Sequence, residues 1–525
     1  MLTALSRILG MLRDMAFAYF LGASGMMDSW AIAFKIPNLA RRLFGEGAAA
    51  SSLIPVYSEQ FHRDPRKANR LALSVVTAVF VLLAAITVLG EAFIWLYYHF
   101  AATHAGARLK LALTGVMLPY IVLICVVAIL GGILNTHRHF AAPAAAPTVL
   151  NVFLIAALCL SGWGLGLPQR TQVFVAAVAV VLAGLVQLAM QLPPMLRHGV
   201  PLRPAWEVRS EPFRRVLFLM GPMILGLTAT QISTLINDFT ALWLSGSPEK
   251  GQSFTLFGYA VQYPLWEGAV SHLFYAQRLY QLPLGIFGVS MATAIFPEMS
   301  LNAAKQDYDS LRRAVSWGLR NAVFIALPAT VGLLWISRPV VAVILQRGEF
   351  LPADTTKTAV TLCFYVLGLT GYFAQQVLTR AFYALQESSV PARTAVIAVC
   401  VSLILNLVLV WPLGSGGLAA ATTLCSYLQV AMLIVALRRR LGSGVLAGAG
   451  SALRATAIAT LCMAVTVAGV GTLIGGFSNI IGLLLSVLTG TAAYLIVAKL
   501  LHIEMLSLFL GKGQRLSRST DDRNL

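Results

Sequence analysis

Acidic residues are scarce in this chain: 525 residues hold 20 Asp and Glu against 38 Lys and Arg, and charged residues of both signs make up only 11%. A soluble domain carries roughly a quarter charged residues, so a soluble protein is excluded. No separate soluble basic domain exists either, so the net charge of +18 does not point to nucleic acid. Cysteine is equally sparse. Cys125, Cys159, Cys363, Cys400, Cys425 and Cys462 fall singly within apolar segments, without CxxC or metal-type histidine spacing, and are expected to be core packing residues. GxSxG, HExxH and Walker-type loops are all missing, so the chain is expected to be neither an enzyme nor a metal or cofactor protein, and to have no fused nucleotidase. His137-Arg138-His139 could mimic a metal pair, but a hydrated turn between spans is the simpler reading.

What is abundant is hydrophobic sequence, at 58% of residues with a mean hydropathy of +0.79. A span needs about 20 apolar residues to cross roughly 30 Å of hydrocarbon, and about 14 segments meet that demand. The expected fold class is therefore an all-α polytopic membrane protein. The first apolar stretch contains Arg7, Arg13 and Asp14, which is unlike a cleavable signal peptide, so it is expected to remain as a span. Alternate loops differ sharply in Lys and Arg. One set holds most of them, whereas the other holds only Arg108, Lys110, Arg170, Lys250, Arg338, Arg347 and Lys357. The positive-inside rule then puts both termini in the cytoplasm.

A smaller group of charges lies inside the spans: Arg7, Arg13, Asp14, Asp28, Lys35, Arg41, Arg42 and Glu46 crowd the first two. Each would cost about 2.5–3.5 kcal/mol at the bilayer centre, so they cannot all face lipid. At ~100° per residue, Asp28, Lys35, Arg42 and Glu46 fall within roughly 40° of one another, and Arg7 and Asp14 share one face. Mutual neutralisation is the bland alternative, through Arg7 or Arg13 with Asp14 and Arg42 with Glu46. The basic side chains nevertheless outnumber the carboxylates. Pro37, Gly45, Gly47 and Pro55 interrupt the second span, as expected of a helix that bends during a cycle or is permanently kinked.

A faint repeat is visible. Asp14 and Gly22 recur as Asp238 and Gly246 at the same spacing, and Lys35 with Phe44-Gly45 recurs as Arg278 with Phe287-Gly288. Pro55 and Pro297 close the two corresponding spans. Such a repeat implies two six-span lobes, with Arg278 and Gln281 as the second lobe's polar contribution. The extra length between Gly246 and Val270 reads as a long external loop with aromatic character.

Four stretches carry a resemblance to a known family: SRILGMLRD at Ser6 to Asp14, DSWAIAFKIPNLARRLFGEGA at Asp28 to Ala48, RLYQLPLGIFGVSMATAIFPEMS at Arg278 to Ser300, and RAFYALQESSVPAR at Arg380 to Arg393. With them the chain resembles the MurJ (MviN) lipid II flippases of the multidrug/oligosaccharidyl-lipid/polysaccharide exporter superfamily. The resemblance implies two six-helix lobes in pseudo-twofold arrangement plus two carboxy-terminal helices. By residue number these are a first lobe at 1–198, a second at 213–440, a lipid-tail groove at 450–502, and a cytoplasmic tail at 503–525.

It further implies alternating access through a central cationic cavity in the bacterial inner membrane. Lipid II, an undecaprenyl-pyrophosphate-linked disaccharide-pentapeptide, is the implied substrate, and cell-wall synthesis proteins are further candidate partners. Arg7, Arg13, Arg41 and Arg278 are the implied cavity arginines, with Asp28 and Glu46 as sensitive carboxylates. The helical wheel favours Arg42 over Arg41 while the resemblance favours Arg41, so both remain candidates. Asp14, Asp28, Lys35, Glu46 and Gln281 are expected to support or gate the site. Gln277 stands where the resemblance implies, in most members, an acidic residue before the arginine, so an ion-pair gate is not expected there. Membrane potential or a coupling ion is the expected energy source. The alternatives are a small-molecule or cation antiporter of the same superfamily, for which the excess of intramembrane basic residues is unsuited, and a non-transporting scaffold for cell-wall assembly.

Overall fold

A computed structural model of the chain describes residues 2–44, 50–102, 104–201, 203–473 and 480–506. Among them, ten helices are long and apolar enough to cross a membrane. An eleventh span arises if α13 (Pro352–Val366) and α14 (Leu369–Ala384), bent by 42° at their junction, count as one. The remaining candidate spans coincide with α1 (Leu2–Leu21), with α2 (Gly25–Ala40) and α3 (Ala50–Arg63), and with α9 (Glu211–Trp243), which are helical but not among those ten. Fourteen spans are therefore not confirmed as a count. The all-helical expectation needs one amendment: β1 (Ser245–Gly246), β2 (Ser253–Leu256), β3 (Tyr259–Gln262) and β4 (Leu265–Trp266) form two small pairs in the Gly246–Val270 loop.

The chain separates into two compact units, 1–271 with 345–354, and 272–344 with 355–525. This division differs from the lobe boundaries expected from the sequence. Contacts assign α9 to the first unit, and α17 (Ala449–Leu473) and α18 (Ile480–Leu500) to the second.

In the first unit the central element is α6 (Tyr120–Thr136), buried along nearly its whole length. α4 (Pro65–Phe100) begins with Pro65 at its first position, and the Asp64 carboxylate accepts from the Arg66 and Lys67 amides. The carboxylate satisfies amides that have no partner within the helix, and proline, lacking an N–H, leaves one fewer to satisfy. The segment 345–354 docks on the end of α1. There the Glu349 amide donates to the Tyr19 carbonyl at 2.9 Å, Gly348 has φ +58°, and a Cβ on it would lie 2.3 Å from that same oxygen. Only glycine fits this turn.

In the second unit α11 (Val289–Ala304), α12 (Tyr308–Leu345), α14 and α16 (Ser415–Leu441) enclose a core built from Ile295, Leu311, Leu319, Val377, Phe382 and Leu433. α17 and α18 pack against Phe324 and Ile336 of α12 through Ala459, Met463, Val467, Tyr494 and Ala498. On α18 the buried stripe is Gly482, Ser486, Gly490, Tyr494 and Ala498, while Ile481, Leu484, Leu488 and Ile496 are exposed. That pattern inverts a soluble helix, because small residues let backbones approach and lipid accepts the large ones. The cysteines follow the same logic. Cys125 and Cys425 are buried, but Cys400 and Cys462 are exposed and so are not the core residues expected. The start of the expected tail is packed, with Met505 and Leu506 buried and Glu504 paired to Arg320 at 3.1 Å. The rest of it, 507–525, lies outside the described residues.

Candidate functional site

The polar stripe of the second span has partners in the first unit. Asp28 is buried on α2, where its carboxylate accepts from the Gly268 amide at 2.8 Å, the Ser271 amide at 2.7 Å and the Ser271 hydroxyl at 2.5 Å. Gly268 immediately precedes α10 (Ala269–Pro283), and Ser271 lies in its first turn. A carboxylate there satisfies unpaired donors and favours the positive end of the helix dipole. Asp28 was expected to orient a guanidinium; its carboxylate instead holds these three donors.

One heptad on, Lys35 forms an ion pair with Asp238 and donates to the Thr234 carbonyl at 3.3 Å. A further heptad on, Arg42 is exposed and donates to the Gln231 side chain at 3.0 Å. Partner numbers fall from 238 to 231 as stripe numbers rise from 35 to 42, so α2 and α9 run antiparallel along a polar seam. The half-buried Arg41 turns aside to the Asn38 side chain at 2.9 and 3.2 Å. Glu46, Gly45 and Gly47 lie outside the described residues.

On α1, Arg13 and Asp14 are both buried, and Arg13 donates to Asp14 at 2.6 and 2.9 Å and to the Asn151 side-chain oxygen at 3.0 Å. Asn151 in turn donates to the Ser6 carbonyl at 3.1 Å. Arg7 is exposed on the same helix.

In the second unit α10 carries the half-buried Arg278, whose guanidinium lies 4.9 Å from the Phe274 ring centre, and the exposed Gln281. Gln277 donates to the Tyr365 hydroxyl at 3.0 Å, so this departure from the family is satisfied by a neutral partner. Tyr280 stacks between Tyr365 and Tyr372 at 5.0 and 5.3 Å.

The sequence repeat has a structural counterpart. Residues 41–44, ending at Phe44, form a π-helical turn, and so do Leu284–Gly288, which contain Phe287-Gly288. Widened turns of this kind concentrate at functional sites. They occur in both units at the position of the repeated Phe-Gly.

Two features escaped the sequence reading. Asp238 was noticed only as part of the repeat, although the unmatched Lys35 signalled that some buried acid must exist. His137, at the end of α6, meets Tyr57 at 2.8 Å and stacks on His198 at 5.0 Å. Burial and the neighbouring His198 hold its imidazole below the usual histidine value. Among the described residues no set of three His, Cys, Asp or Glu is arranged to hold a metal.

The fold is that of the multi-span helical transporters. A solved structure described as "Lipid II flippase MurJ, inward closed conformation" superposes with a TM-score of 0.77 at 23% identity, covering 96% of this chain and 98% of the other. An inward-facing multidrug resistance MATE transporter of the MOP superfamily superposes at 0.65 and 14% identity, over 83% and 95% of the two chains. Sequence gives the narrower assignment. The family described as "Lipid II flippase MurJ" matches residues 17–488. The probable lipid II flippase MurJ of Vibrio cholerae is 32% identical over 447 residues, 82% of this chain and 80% of its own. The lipid II flippase MurJ of Burkholderia cenocepacia is 31% identical over 450 residues, 83% and 82% of the two chains. This chain belongs to the MurJ lipid II flippase family.

Proposed function

We propose that this protein translocates lipid II from the cytoplasmic to the periplasmic leaflet of the bacterial inner membrane by alternating access, with both termini in the cytoplasm. Family membership across residues 17–488 carries this reading. It also favours a flippase over a cation antiporter or a scaffold, in line with the excess of basic over acidic residues in the first two spans.

The headgroup pyrophosphate is doubly anionic, and arginine offers it a planar fork of donors. We assign its binding to Arg41 or Arg42 together with Arg278, and its attraction at the inner mouth to Arg7. Arg13 remains in this set, although its guanidinium is already engaged by Asp14 and Asn151. Asp14, Asp28, Lys35, Glu46 and Gln281 support the binding residues without touching substrate. No cofactor is invoked; the energy comes from the membrane potential or a coupling ion. An inside-negative potential drives an anion outward, at ~2.3 kcal/mol per charge per 100 mV.

Lipid II with a photoreactive headgroup tests the assignment on purified protein in proteoliposomes. Capture is expected on the peptide containing 28–44. Capture unchanged in a variant with Arg41, Arg42 and Arg278 all replaced by Ala would remove the residue assignment, and no capture by the intact chain would remove the function.

A further inference from the structure

The loop between α9 and α10 is polar at its base and apolar at its tip. At the base the Glu249 carboxylate accepts from the Gly106 amide at 3.1 Å, Lys250 donates to the Leu242 carbonyl at 3.3 Å, and Ser245 and Gly246 pair with Leu265 and Trp266. Gly106 lies in the first turn of α5 (Ala105–Met117), just beyond α4. The end of α4 carries the exposed aromatics Phe93, Trp95, Tyr97 and Phe100. Outward aromatics at a span's end mark the bilayer interface, so the loop is tied down at that level.

From this base rises the hairpin β2–β3, within a stretch from Gly251 to Trp266 that contains no charged residue. Phe254, Tyr259 and Val261 share one face by register, and Thr255 opposite Ala260 occupies the other. The turn is Phe257-Gly258, with φ +49° and +86°. Such a two-residue turn normally takes Asn-Gly, and a phenylalanine there sits in a left-handed conformation disfavoured for an L side chain. That side chain is 93% exposed, and Tyr259 is 77% exposed. A hairpin working in water would place asparagine at the turn and charges along its strands. This one places an aromatic ring where backbone geometry resists it, and keeps sixteen residues neutral.

We infer that the β2–β3 hairpin is a membrane anchor: Phe257 and the Phe254/Tyr259/Val261 face lie in the interfacial zone of the leaflet on the side of the α4–α5 and α9–α10 connections. The ligand is the lipid surface itself, entered by aromatic side chains with no basic residue to select anionic headgroups. Binding should therefore depend weakly on lipid charge. The loop would be held flat against the bilayer and not raised into solution.

The test uses the full chain with its six cysteines replaced, carrying Phe257→Cys, Thr255→Cys or Ala260→Cys labelled with bimane. It is reconstituted in phosphatidylethanolamine/phosphatidylglycerol vesicles with and without bromine on the acyl chains. Bromolipid is expected to quench the label at 257 several-fold more than at 255 or 260, with aqueous iodide showing the reverse order. A Val261→Cys reporter should lose bromolipid quenching when Phe257→Ser and Tyr259→Ser are added, which controls for the apolar label. Iodide quenching at 257 equal to that at 255 would overturn the inference by placing the tip in water. Protection of 257 from both quenchers would overturn it by placing the tip on protein.

Discussion

Lys35 and Asp238 are joined as an ion pair between α2 and α9, with side-chain exposures of 23% and 9%. Breaking such a pair from one side leaves the other charge buried and uncompensated, at a cost of about 3 kcal/mol where burial is high. Lys35→Met should therefore lower the thermal midpoint of the detergent-solubilised protein markedly, and Lys35→Met with Asp238→Asn should recover much of the loss. Additive losses in the double variant would show that the two side chains are not coupled.

The contact of 345–354 with the end of α1 gives a second expectation. Gly348→Ala puts a methyl 2.3 Å from the Tyr19 carbonyl oxygen at φ +58°, and the backbone conformation alone costs about 1–2 kcal/mol. Gly164→Ala, where nothing lies within 4 Å of the new methyl, serves as the control. Thermal midpoints should fall for the first and stay near the parent for the second.

His137 makes stability depend on pH. Its folded-state pKa lies below the ordinary value of 6.5, chiefly through burial and then through His198. The unfolded chain therefore binds the proton first, and stability must drop as pH falls through the ordinary histidine value toward the depressed one. Tyr57, Phe61 and His198 lie against the ring, Asn69 accepts from the Tyr57 hydroxyl, and none of them supplies a negative charge to oppose this. His137→Gln should flatten the fall of thermal midpoint between about pH 7.5 and 5.5. An unchanged slope would place the titration elsewhere.

Much of the helical architecture was legible in the sequence, because hydrophobic length acts on each span locally. The stripe on the second span was legible too, since helical period alone puts Asp28, Lys35 and Arg42 on one face. Their partners were not. Gly268, Ser271, Asp238 and Gln231 come from elements about 190 to 240 positions away, and no periodicity within one helix reports which distant donor or acid fills a face. The pairing of Arg13 with Asp14 stood among the neutralising alternatives in the sequence, but the part played by Asn151 did not. Adjacent residues do not face each other on a helix, yet a long guanidinium can fold back when both are buried and Asn151 completes the arrangement. The hairpin at 253–262 was missed because an uncharged aromatic run reads equally as loop or strand.

Transport should respond to voltage. If the loaded step carries an anionic headgroup outward, collapsing the potential at constant pH should slow the appearance of labelled lipid II in the outer leaflet. Equal rates with and without the potential would assign the driving force to a coupling ion.

The most direct measurement follows lipid II at the outer face of cells depleted of their own flippase. The intact chain is expected to restore exposed precursor, and Arg278→Ala is expected to insert to the same level in the membrane without restoring it. Exposure restored equally by Arg278→Ala, or no restoration by a fully inserted intact chain, would contradict the account.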